Sequence, residues 1–344
     1  MTQPHTRSII AAQQDTLAIE DSGYVAGIDI GGTNLRLALA DMDGVIQAKW
    51  SSSTVGVRGV DGVMQLIGNG VGHLLQQVSA PLGALKAVAA GAPGITDVDA
   101  GIVIATSYLM GWRDVPLRAM LEDALNVPAA VDNDVNLAAI GESWAGAAKG
   151  VRDFVFLAIG TGIGAGIVLN GCPLRGTNWT AGEIGYMLVP GTADMPLNHG
   201  EPGVLESMIG GEGIKAQWQS LCRADGTALP KDLTATEIFD HALAGDPRAQ
   251  TILQQSARML SYAIYNINLV LNCPLFVLGG GVGVHVGFCD ATRNMLEQRN
   301  MRGMPKLLCS TLGADAQLMG ALRLALDTAA SRQAFFANEG TSRK

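Results

Sequence analysis

Two similar α/β halves facing each other across a cleft are the architecture this sequence predicts, and three observations predict it. The stretch "GIDIGGTNLRLALADMDG", from Gly27, runs an apolar strand through a glycine turn straight into a second strand. The stretch "AIGTGIGAGIVLNGCPL", from Ala158, repeats that unit, which indicates duplication. Between the two, strand-like and helix-like segments alternate as in an α/β domain. With 344 residues, 48% of them hydrophobic, the chain exceeds one typical domain and can fill two cores.

The elements follow in order. Residues 1–23 show no strong pattern and are expected to be a disordered extension, without the apolar core and cleavage site of a secretory leader. From Tyr24, "YVAGIDI" is a strand, and "LRLALADMDGVIQAKW" supplies two more, folded at "MDG". A helix around Gly62 to Val78 places Val63, Leu66, Ile67, Val71, Leu74, Leu75 and Val78 on one side. The run "LKAVAAGAPG" reads as a buried strand, "VPLRAMLEDALN" as an amphipathic helix and "PAAVDN" as a short strand. A small-residue helix, "DVNLAAIGESWAGAAKG", is expected to end at Gly150, and "DFVFLAIGTGIGAGIVLNGCPL" then opens the second half. Near the end, "CPLFVLGGGVG" is a buried strand delivering three glycines, and "DAQLMGALRLALDTAA" is a last helix packing back on a domain. The predicted partition is a small domain of residues 24–133 with about 314–330, a large one of 134–313, and a tail of 331–344.

Bulk properties exclude several functions. A net charge of -8, with no basic run longer than a pair, argues against nucleic acid as a partner. No apolar run approaches the roughly 20 residues of a membrane span. The five cysteines, Cys172, Cys222, Cys273, Cys289 and Cys309, are widely spaced without a CxxC, which fits free thiols in a reducing compartment. The expectation is a soluble cytoplasmic protein.

The glycines carry the chemistry. Gly160, Gly162, Gly164 and Gly166 let backbone approach a ligand and aim successive amides at one anion, of which phosphate is the obvious one. A dinucleotide fingerprint would lead into a helix, whereas these glycines lead into the strand "IVLNG"; a GxxxxGK[ST] loop is absent. Asp29, one residue before "GGT", sits where its carboxylate and the Thr33 hydroxyl could meet a hydrated Mg²⁺ on a nucleotide, or could simply satisfy the turn. Gly279, Gly280 and Gly281 offer a flat backbone for a purine ring.

In combination and in order, "DIGGTNLRLALAD", "GAPGITD", "GWRDVPL", "VDNDVNLAAIGE", "GTGIGAGIVLNG", "AGEIGYMLV" and "VLGGGVG" resemble the ROK family of the sugar kinase, actin and Hsp70 superfamily, from about Tyr24 to Leu326. The resemblance implies two ribonuclease-H-like (actin-like ATPase) domains with the active site in the cleft between them. It implies ATP with Mg²⁺, phosphoryl transfer to a sugar hydroxyl, and commonly a homodimer. By resemblance, Asp134 is the general base and Asn133 holds a neighbouring hydroxyl, although capping a helix is an alternative for both. A carboxylate near pKa ~4 would be a weak base, useful mainly for positioning. Glu183, Glu206, Tyr186 and Gly94 fall on the sugar side; Asp29, Gly31, Gly32, Thr33, Asn34, Gly160, Thr161, Gly162 and Gly279 to Gly281 fall on the nucleotide side.

Two departures lie on the sugar side. Where the family carries a histidine and three cysteines for a structural zinc, this chain has Tyr186, Leu197, His199 and Val204, so no zinc is expected. Tyr108 stands where an asparagine is common. A glucose kinase is the leading expectation, with fructose, mannose or an N-acetylhexosamine as other acceptors. A catalytically silent sugar-binding or regulatory protein is the alternative.

Overall fold

The computed structural model describes residues 23–192, 201–224 and 232–341, with side chains up to 332. Most of the extension expected at residues 1–23, together with Leu197 and His199, lies outside the described residues.

The first half opens with β1 (Tyr24–Ile30), β2 (Asn34–Asp41), β3 (Ile46–Ser53) and α1 (Gly59–Gln77). It continues through β4 (Leu85–Ala92), β5 (Ile95–Asp97), β6 (Ile102–Ala105), β7 (Arg113–Val115), α2 (Leu117–Leu125) and β8 (Ala129–Asn133). The helix α3 (Asp134–Ala145) leads into β9 (Phe154–Ile159), β10 (Ile163–Leu169) and β11 (Cys172–Pro173). Four helices follow, α4 (Val204–Ile209), α5 (Gly211–Ala224), α6 (Ala235–Leu243) and α7 (Pro247–Leu271). The chain ends through β12 (Leu275–Gly279), α8 (Gly280–Gly283), α9 (Val286–Glu297), β13 (Lys306–Cys309) and α10 (Ala316–Thr341).

The duplication is real in three dimensions. One sheet has the order β3-β2-β1-β4-β8 and the other β11-β10-β9-β12-β13, the same path for the two sets of five strands. In each, three antiparallel strands precede two that add in parallel to the first. A small antiparallel sheet, β5-β6-β7, is inserted between β4 and α2.

Burial explains the strands. β1 and β4 are apolar on both faces because α1 and α2 cover one side of their sheet and α10 the other. In the second half, α3 covers one face of the sheet through Ala138 and Ala139 against Phe154, Phe156 and Val277. Residues of α4 to α7 and α9 fill the larger core on the other face.

Helices α3 and α10 join the halves, and they touch at backbone distance. A Cβ on Gly141 would stand 2.2 Å from the Ala316 carbonyl oxygen, and one on Gly320 would stand 1.8 Å from that of Leu137. Only hydrogen fits at either place. Gly320→Ala is therefore expected to destabilise the protein by about 1–3 kcal/mol through overpacking, read as a drop of several degrees in Tm.

Two boundaries differ from expectation. Helix α3 stops at Ala145, not Gly150, because Gly146 is extended and the Glu142 carboxylate folds back to accept from the Ala147 amide at 2.6 Å. The tail expected from residue 331 is instead a continuation of α10 to Thr341.

Candidate active site

Asp134 is the first residue of α3, directly after the strand β8, so a rigid strand and a rigid helix fix its backbone. Its carboxylate accepts from the Val135 amide at 2.9 Å. Burial, and then the negative charge of Asp29, raise its pKa from 3.8 to about 7. The carboxylate that the resemblance offers as the base is thus shifted from the usual carboxylate range toward neutral pH. A side chain at Gly91 would collide with Leu137 at 2.7 Å, and the absence of one leaves β4 close beneath Asp134.

Asn133 caps α3, its Oδ1 accepting from the Val135 and Asn136 amides at 2.9 and 3.1 Å. Its Nδ2 donates to the Gly94 carbonyl at 2.8 Å. One amide hydrogen of Asn133 is left for a ligand. Gly94 has φ +97°, and a Cβ there would stand 2.2 Å from the Ala105 carbonyl oxygen, so glycine is required to present that carbonyl.

Both glycine turns hold their carbonyls behind them. In the first, Thr54 donates its amide to Thr33 O at 3.0 Å and its hydroxyl to Gly31 O at 3.1 Å. In the second, the amide of Gly211 donates to Gly160 O at 2.8 Å. The amides of Gly32, Thr33, Thr161 and Gly162 have no partner among the described residues. Gly32, Thr33, Asn34 and Thr161 are exposed. Each turn is therefore a pair of free donors, suited to phosphate oxygens.

The third glycine cluster adjoins the second, because Gly279 pairs with Ala158 across β12 and β9. Its three glycines do different work. A Cβ on Gly279 would lie 2.2 Å from the Phe156 ring, and Gly280, at φ +76°, packs on the Ile159 carbonyl. Only Gly281 faces open space. The flat surface expected of all three is in fact a coiled turn, α8, with one open face.

Beside the second glycine turn, Glu206 of α4 accepts from the Ile163 amide at 2.8 Å, which ties that helix to the exit of the turn. Glu183 is brought beside it because Gly182, at φ +95°, fits 1.9 Å (for a Cβ) from the Ala165 carbonyl oxygen and its own carbonyl accepts from the Ala165 amide at 2.8 Å. Burial and the charge of Glu206 raise the pKa of Glu183. Tyr186 donates its hydroxyl to the Glu201 carbonyl at 3.1 Å, a bond to backbone that holds the loop before α4. Val204, in the place of the last zinc cysteine, is buried at the start of α4.

Three further residues bear on the site: Tyr108, a departure on the sugar side in sequence, and Arg36 and Arg175, which had no predicted role. Tyr108 crosses the cleft: its carbonyl lies beside Gly32, and its hydroxyl beside Gly162 and the Glu206 carboxylate. Burial first, then the charges of Glu206, Asp134 and Glu183, push its pKa to about 12. Arg36 donates to Asp29 at 2.8 and 2.5 Å, and also to the Ala314 carbonyl at 2.5 Å. Arg175 pairs with the buried Asp132 at 2.5 Å. The register Asp29 opposite Arg36 in the first hairpin was the one local signal available; the other two contacts join distant segments.

The carboxylates also bear on a metal. Asp29 is 7% exposed, and burial raises its pKa against the opposing pull of Arg36. Arg36 engages one oxygen of Asp29, and the charge of Asp29 opposes the ionisation of Asp134. A hydrated dication beside the first glycine turn would relieve that repulsion, so the residues fit Mg²⁺ held through water by Asp29. Among the described residues no group of three acidic, histidine or cysteine side chains forms a metal cage.

The ROK family model matches residues 25–328. The chain is 35% identical to a glucokinase of Halalkalibacterium halodurans, covering 77% of this chain and 82% of that one. It is 32% identical to an N-acetylmannosamine kinase of Citrobacter koseri, covering 87% and 97%. It superposes with a TM-score of 0.73 on a ROK family glucokinase from Streptomyces griseus in complex with glucose and AMPPNP, at 26% identity over 88% of this chain and 99% of that one. The ROK hexokinase from Thermus thermophilus gives the same TM-score at 29% identity, over 88% and 97%. With the actin-like ATPase fold, the paired glycine turns and a family match over most of its length, the chain belongs to the ROK family.

Proposed function

We propose that this sugar kinase transfers the γ-phosphoryl group of ATP to a hexose hydroxyl, with glucose as the leading acceptor. One observation carries the reading: a carboxylate raised to about neutral pKa, Asp134, stands among two glutamates and two donor-bearing glycine turns. In this reading the free amides of Gly32, Thr33, Thr161 and Gly162 hold the phosphates, and Gly281 receives the adenosine side. Asp29 is the residue that would hold magnesium, which would supply charge neutralisation on the phosphates. Asp134 takes the proton of the attacking hydroxyl, while Asn133, Glu183 and Glu206 fix the sugar.

The phosphoryl group moves with little covalent help from the protein, so positioning and preorganised donors supply most of the rate. Glu206 is already oriented by the Ile163 amide, which leaves its second oxygen for a hydroxyl. Glu206→Gln is expected to raise the sugar KM about 10- to 100-fold with a smaller change in the KM for ATP. Steady-state kinetics with each substrate varied in turn check this.

N-acetylmannosamine is the second acceptor to test, since a kinase of that sugar covers 87% of this chain. The deciding experiment is ADP release by the purified full chain across glucose, fructose, mannose and the N-acetylhexosamines, with Asp134→Asn as background. Stimulation by glucose above all others supports the reading. No stimulation by any sugar returns the chain to a silent sugar binder.

A further inference from the structure

Two thiols stand together outside the cleft. Cys289 lies on α9, 2% exposed, and Cys309 closes the edge strand β13, partly exposed. Their sulfurs are 2.7 Å apart, well inside van der Waals separation. The Cys289 thiol also donates to the Gly283 carbonyl at 3.1 Å, at the end of the α8 turn. Cys309 pairs with Leu278, one residue before the glycine cluster. In sequence these are two free thiols twenty residues apart; the fold of β12, α9 and β13 brings them into contact.

We propose that Cys289 and Cys309 form an oxidisable dithiol that closes to an intrachain disulfide on exposure to a hydroperoxide, and that closure disturbs the α8 turn. A bond length of about 2.05 Å requires the sulfurs to approach by a further ~0.65 Å, within side-chain adjustment. Burial raises the Cys289 thiol far above its ordinary range, so it is a poor first nucleophile. The partly exposed Cys309 meets the oxidant first. Cys309 gives up its proton, its thiolate attacks one oxygen of hydrogen peroxide, the O–O bond breaks, and Cys309 sulfenic acid forms as the departing hydroxide takes up that proton and leaves as water. Cys289 then attacks that sulfur and loses its proton, and the sulfenic oxygen leaves as a second water. Two thiols supply the two electrons that reduce one hydroperoxide.

The new bond removes the Cys289 S–H that Gly283 O accepts, and that carbonyl ends the turn carrying Gly280 and Gly281. Weaker ATP binding on oxidation is the consequence, and this part rests on the kinase reading. The experiment treats the full chain carrying Cys172→Ser, which removes the exposed thiol, with stoichiometric hydrogen peroxide. Free-thiol counts, peptide mass mapping and kinetics with ATP varied follow. The expected result is loss of two thiols, a Cys289 to Cys309 crosslink, and a several-fold higher KM for ATP that dithiothreitol reverses. Adding Cys309→Ser, or Cys289→Ser with its hydroxyl donor kept, abolishes both crosslink and KM change. No crosslink, or one through Cys222 or Cys273, overturns the dithiol. A mapped crosslink with an unchanged KM in an active enzyme overturns its coupling to the nucleotide turn. Thiol mapping needs no activity, so failure of the kinase reading stays distinguishable.

Discussion

Asp134→Asn is expected to lower kcat by about 10²- to 10⁴-fold while leaving both KM values within a few-fold of the parent. The amide keeps the shape and can still accept at the N-terminus of α3, so binding survives and proton acceptance does not. The pH dependence carries a sharper signature. The base must be ionised, and its pKa is raised to about 7, so kcat/KM for the sugar should fall as pH drops through about 7. Asp29→Asn removes the like charge that opposes ionisation of Asp134 and frees Arg36, so the acidic limb should move to lower pH. An unmoved limb in that variant would mean that burial alone tunes the base.

The same shift has a stability consequence of opposite sign to the usual salt-bridged carboxylate. In the unfolded chain Asp134 ionises near 3.8, whereas in the fold it holds its proton to about 7. Between those values the unfolded state binds fewer protons, so ionisation destabilises the fold progressively as pH rises, with the effect complete above 7. The inactive Asp134→Asn protein should therefore be more thermostable than the parent at pH 8 and close to it at pH 4. Thermal denaturation at both pH values reads this directly.

Much of the frame was legible because its signals are local. Strand, glycine turn and strand share one short stretch, and the duplication at Gly27 and Ala158 announces two halves before any contact is known. Core strands such as β1 and β4 read from apolar runs, since both faces are covered. What was not legible depends on chain segments far apart. The end of α3 is set by Glu142, which also accepts from the Ser310 hydroxyl and the Leu312 amide, and no window around residue 145 contains those partners. Likewise Gly279, Gly280 and Gly281 look equivalent in sequence, yet Phe156 and Ile159 reserve the first two for packing. The neutral pKa of Asp134 comes from burial and from Asp29, more than a hundred residues earlier, and composition cannot show it.

Arg175→Ala is expected to destabilise the protein by about 3–5 kcal/mol, because it strands a buried charge. Asp132 is 1% exposed near the end of β8. One of its oxygens accepts from the Asn133 amide at 2.8 Å and the Asn136 side chain at 3.2 Å. The other takes Arg175 twice, at 3.1 and 2.5 Å. Arg175 follows β11, the far edge of the second sheet, so the pair fastens one half to the other two residues before Asp134 in the chain. Removing the guanidinium leaves the carboxylate without a counter-charge and out of reach of full hydration. Arg175→Lys restores charge but not the forked geometry, and should recover only part of the loss. Pairing Arg175→Met with Asp132→Asn removes both charges and should be more stable than Arg175→Met alone, since the stranded ion is the larger penalty. Urea denaturation of the single and double variants decides it. If the double variant is the less stable, the interaction is one of packing across the halves, and the buried-charge account fails.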